Sequence, residues 1–122
     1  RTHVSEVQRA GTCGYLDPSY MATGRYDAQA DCYALGITLL QVLTGWRAAE
    51  RGETVLERCA GRQGRHVADP DASWPPPAAD SMMQIAQELL KVPRRERLRA
   101  ADARERLEAL RGELWYDCDE GS

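Results

Sequence analysis

The run from Ala34 to Leu43 constrains the fold more than any other stretch of this chain. Asp27 offers an N-cap carboxylate, and the residues after it predict a strongly apolar helix over roughly 28–44. Within it Tyr33, Leu35, Ile37, Leu39, Leu40, Val42 and Leu43 point in nearly all directions. A helix that is apolar all round is buried all round, so this one is expected to be a central pillar with the rest of the domain packed about it. Gly45 follows, as a C-terminal glycine does. The run is far shorter than the roughly 20 residues that a membrane span needs, so none is expected in this segment.

The other helices follow from period and punctuation. Met82, Ile85, Ala86, Leu89 and Leu90 recur at helical spacing and predict an amphipathic helix from about Ser81 to Lys91, broken by Pro93. Ala103, Leu107, Leu110 and Leu114 share one face of a third helix over about 100–115. Arg104 and Glu108 are spaced i, i+4 on its outside. Val55 to Cys59 suggests a short helix. Asp69-Pro70 and Trp74-Pro75-Pro76-Pro77 read as loops, and Gly11, Gly14, Pro18 and Gly24 divide residues 1–26 into an extended segment of turns. No alternation of period two and no internal repeat is visible. The expectation is an all-α domain with a long leading loop.

With 122 residues, the chain holds one domain at most. A formal net charge of −3 with 29% charged residues argues against both wholesale disorder and a nucleic-acid field. The arginines at 94, 95, 97, 99, 104 and 106 are interrupted by Glu96, Asp102 and Glu105, with no aromatic interleaved for base stacking, so they read as a solvated helix face. Cys13, Cys32, Cys59 and Cys118 form no CxxC pair, and neither His3 nor His66 is at ligand spacing from them, so no metal site is expected. Cys32 reads as a small core residue. Position 1 is Arg and no charged-then-apolar leader follows it, so no signal peptide is expected and the chain is read as beginning within a longer one.

The segment Gly11-Thr-Cys-Gly-Tyr-Leu-Asp-Pro-Ser-Tyr20, followed by Asp31-Cys-Tyr-Ala-Leu-Gly36 and Leu43-Thr-Gly45, resembles the end of the activation segment and the central C-lobe helix of plant-type receptor-like (RLK/Pelle) serine/threonine kinases. The family writes these GTxGYLDPEY, SDVYSFG and LTG, in that order and at this spacing. Thr2-His-Val-Ser5 is similar to the run before GTxGY. The later Asp69-Pro70, Trp74-Pro75 and Arg94-Arg-Glu-Arg97 resemble DP, WP and RRxRP of the cytoplasmic kinases that carry a U-box. The resemblance implies a partial kinase domain over 1–112, the helical C-terminal lobe with its activation-segment loop, and an acidic tail over 113–122 that frays.

What the resemblance implies for individual residues can be set beside what they show alone. Thr12 alone is an ordinary turn threonine; in the family the matching threonine lies beside the catalytic Asp and helps define where the substrate hydroxyl sits. Gly11 and Gly14 allow close backbone approach to a peptide, and Tyr15 to Pro18 would form the platform beneath the residue after the phosphoacceptor. Asp31 is either a buried carboxylate that needs hydrogen bonds or an exposed first-turn residue favoured by the helix dipole; the family role is to accept backbone N–H groups of the catalytic loop and brace it. Thr2 and Ser5 fall where such kinases are phosphorylated, and a phosphate there would order the loop through arginines.

Two positions depart from the family. Ser19 stands where a glutamate pairs with the arginine matched by Arg97, and Leu98 replaces the proline that follows it. Arg97 is therefore expected to be an unpaired C-lobe arginine, either exposed or held by another acceptor such as Asp17 or a backbone carbonyl. Ser19→Glu is expected to raise the melting temperature if Arg97 awaits that partner.

The catalytic parts of a kinase are not in this sequence. It has no GxGxxG, HRD, DFG or Asn, and its single lysine, Lys91, ends a helix. The resemblance thus implies ATP and Mg²⁺ for the intact kinase but neither bound by this segment, which alone is expected to be inactive. The implied partners are a protein substrate and the N-lobe and catalytic loop of the same kinase. The implied location is the cytoplasm or the cytoplasmic side of a membrane receptor. The alternative is a non-catalytic, pseudokinase-like interaction module.

Overall fold

The computed structural model describes residues 28–121. Helix α1, Ala28–Thr44, occupies the span expected for the apolar pillar. Cys32, Tyr33, Ile37, Leu39, Leu40 and Leu43 are buried along it. Burial is not all round, however: Asp31, Thr38 and Val42 are exposed, Val42 at 55%. At 3.6 residues per turn these three share one face, so α1 is a pillar at the side of the described core rather than one wrapped completely.

Gly45 ends α1 as expected. Its φ of +77° suits a residue without a Cβ, and its N–H donates to the Gln41 carbonyl at 2.8 Å. Thr44, 4% exposed, turns its hydroxyl into a relay. The Oγ1 donates to the Leu40 carbonyl at 2.7 Å and accepts from Trp46 N at 3.0 Å, so neither hydroxyl function is stranded.

A minimal antiparallel pair comes next, β1 (Ala49–Glu50) and β2 (Glu53–Thr54), with Ala49 opposite Thr54 and Glu50 opposite Glu53. Both turn residues, Arg51 and Gly52, have positive φ, the pattern of the tightest hairpin turns. Strands of two residues carry no readable alternation, which is why the sequence shows no strand signal. The expected short helix forms as α2, Val55–Cys59. It starts with a reciprocal cap: Thr54 Oγ1 accepts from Glu57 N at 3.1 Å, and Glu57 Oε1 accepts from Thr54 N at 2.8 Å. A single helical turn, α3 (Gly64–Val67), and a 3₁₀ turn (Pro70–Ala72) complete the middle of the chain. Asp69 N donates to the Leu43 carbonyl at 2.8 Å and ties this stretch to the end of α1.

Helix α4, Pro76–Leu89, begins earlier than the expected Ser81. The triple proline is the helix start instead of a loop: Pro75 is the N-cap, and the first-turn prolines lack only N–H groups that have no partner inside the helix. Its buried stripe, including Met82, Ile85, Ala86 and Leu89, faces α1. The two helices approach closely at Gly36, where a Cβ would meet Leu90 Cγ at 2.7 Å and Leu89 Cβ at 3.1 Å.

After a second 3₁₀ turn (Arg94–Glu96), helix α5 runs Ala100–Gly121, beyond the expected end near 115. The acidic stretch expected to fray continues the helix, and no proline interrupts it. Ala103 and Leu110 are buried, and Leu107 and Leu114 are partly buried against the same core, as the periodicity indicates. An ion pair from Arg106 Nη1 to Glu88 Oε1 at 2.9 Å joins α5 to α4. The described residues thus form an all-α arrangement with one two-residue strand pair, and none of their helices is long and apolar enough to cross a membrane.

Candidate functional site

Arg97 and the first turns of α1 carry the sequence-derived site residues that fall among the described ones. The chain reaches Arg97 through Pro93, whose carbonyl accepts from Glu96 N at 2.9 Å, and leaves it through Leu98, whose N–H donates to the Glu88 carbonyl at 3.0 Å. The first closes a turn and the second ties the segment back onto α4. Arg97 is left only 4% exposed. Its Nε–H donates to the Lys91 carbonyl at 2.6 Å, and its guanidinium carbon lies 5.0 Å from the centre of the Tyr33 ring. Carbonyl dipole and ring face are both electron-rich surfaces for a planar cation.

The expectation that Arg97 is unpaired is therefore corrected. A backbone carbonyl, one of the acceptors open to it in the sequence reading, accepts from its Nε–H. Ser19→Glu is then not needed to give the buried guanidinium an acceptor.

Asp31 is exposed in the first turn of α1, where the helix dipole favours a carboxylate. Cys32 beside it is buried. Burial pushes this thiol up from its ordinary value. The Arg97 charge opposes that shift and the Asp31 charge adds to it, which places both ions at one end of α1. The thiol of Cys59 is likewise pushed up by burial, against Arg62 and Arg58. Neither cysteine has the lowered pKa of a nucleophile.

The substrate-platform residues Gly11, Thr12, Gly14, Tyr15 and Pro18 lie outside the described residues, as do Thr2, Ser5, Asp17, Ser19 and the expected cap Asp27. Sequence reasoning missed the surroundings of Arg97. Tyr33 reads simply as an apolar core member, and a backbone carbonyl such as that of Lys91 has no sequence signature. Also unforeseen are the stack of Arg58 on Trp46, 3.6 Å from the ring centre, and the pairing of Arg65 with Asp80, Nη2 to Oδ2 at 2.7 Å. Among the described residues no cluster of His, Cys, Asp and Glu has the makings of a metal site.

No protein-family model matches the chain. Individual relatives do. The probable serine/threonine-protein kinase PBL3 of Arabidopsis thaliana is 45% identical over 58 residues, 48% of this chain and 13% of that protein. The receptor-like kinase TMK2 of Arabidopsis thaliana is 33% identical over 90 residues, 74% of this chain and 10% of that protein. Among solved structures, the pseudokinase domain of BIR2, an immune regulator of the RLK/Pelle family, superposes with a TM-score of 0.70 over 83% of this chain. This chain is a kinase C-lobe segment of the plant receptor-like type.

The C-lobe segment spans 34% of the BIR2 domain at 23% identity, a likeness that speaks for the fold. It spans about one seventh of the length of PBL3 and similar relatives. Within that kinase lobe, α1 is the element that carries the Asp31 to Gly36 motif, and at Gly36 the end of α4 packs close against it.

Proposed function

We propose that the chain is the substrate-side part of a serine/threonine protein kinase that transfers the γ-phosphate of ATP to protein hydroxyls. One observation carries this reading: the Gly11–Tyr20 and Asp31–Gly36 motifs stand in family order and spacing in a chain whose relatives are serine/threonine kinases. Gly11, Thr12, Gly14, Tyr15 and Pro18 would seat the peptide around the acceptor hydroxyl. Asp31, exposed in the first turn of α1, would brace the catalytic loop by accepting its backbone N–H groups. Thr2 and Ser5 would be phosphorylated to order the loop. In phosphoryl transfer such positioning is most of the protein's work.

ATP and Mg²⁺ are proposed for the intact kinase and not for this segment. It has no Gly-rich phosphate loop and no Asn, and the described residues offer no carboxylate cluster for a cation. Nucleotide and metal are therefore assigned to the N-lobe and catalytic loop of the same kinase, which are this segment's first partners; the protein substrate is the next. The cytoplasm, or the cytoplasmic side of a receptor, is the proposed location, supported by relatives such as the calmodulin-binding receptor-like cytoplasmic kinase 3 of Arabidopsis thaliana.

A non-catalytic interaction module is the second reading, favoured by Ser19 and Leu98 at positions where the family has glutamate and proline. The two are separated by the coding sequence upstream of Arg1. A Gly-rich loop, a strand lysine, HRD and DFG in frame are expected. An upstream sequence without them would overturn the catalytic reading and leave the interaction module.

A further inference from the structure

We draw no further inference here: the strongest candidate, the apolar groove between α1 and α5 lined by Leu35, Ala100 and Leu107, carries nothing because nothing in the structure shows what covers it.

Discussion

Arg97 donates through Nε to the carbonyl of Lys91 at 2.6 Å while its guanidinium faces the ring of Tyr33. A buried cation is thus held by a loop carbonyl and an aromatic face from α1. Arg97→Ala removes a charge-assisted hydrogen bond and is expected to cost about 2–3 kcal/mol. Arg97→Lys should recover less than half of that, because an ammonium lacks the planar fork and stacks poorly. Urea unfolding of the full chain reads both. A loss within about 0.5 kcal/mol, the range of ordinary surface substitutions, for Arg97→Ala would contradict the account.

Leu98 uses an amide that a proline does not have. Its N–H donates to the Glu88 carbonyl at 3.0 Å, so the departure from the family pattern supplies a bond between the loop and α4. Restoring the family residue by Leu98→Pro should lower stability by about 1 kcal/mol through that lost bond. A rise in melting temperature would show that the amide contributes nothing.

Much of this architecture is legible in the sequence, and the misses have physical causes. The apolar run and its closing glycine mark α1, and the 3.6 period marks the buried faces of α4 and α5. The start of α4 is hidden because proline punctuates loops and helix starts alike, and only the structure tells which. The β1–β2 pair is too short to alternate. The distal part of α5 reads as a tail because its charge suggests solvent, although charge does not prevent a helix. Asp31 and Arg97 are visible as residues of interest only through the family motif. One acceptor of Arg97 is the Lys91 carbonyl, and carbonyls are everywhere in a sequence.

Gly36 reports the closeness of α1 and α4. In Gly36→Ala the new methyl would meet Leu90 Cγ and Leu89 Cβ, both on a tightly packed helix end. The substitution gains helix propensity but overpacks the contact, and the expected net is a loss of about 1–3 kcal/mol. Thermal unfolding checks it; a stabilised variant would mean the helices separate freely.

Asp80 sets an acid-sensitive contribution. Hydrogen bonds from the Arg65 side chain and backbone N–H hold its carboxyl below the usual range. Because the folded pKa is lowered, the stabilisation is fully present above the unfolded value of about 3.9 and is lost as pH falls through the folded value. Asp80→Asn should melt below wild type at pH 7, and the gap should close in acid. A gap independent of pH would contradict the ion pair.

Cys32 and Cys59 should resist alkylation in the native chain, since burial both shields them and raises their thiols. Peptide mapping after iodoacetamide is expected to find both unmodified until denaturant is added. Rapid native labelling of either would show that the core opens around it.

The most direct measurement is phosphotransfer from ATP to a protein substrate by the intact gene product, wild type against Asp31→Ala, with melting temperatures taken alongside. The proposed function requires transfer by the wild type and a fall of about 10²-fold in kcat for the variant, as expected for a catalytic loop displaced by about 1 Å, with melting little changed. No transfer by the wild type, or an unchanged kcat in Asp31→Ala, would contradict it.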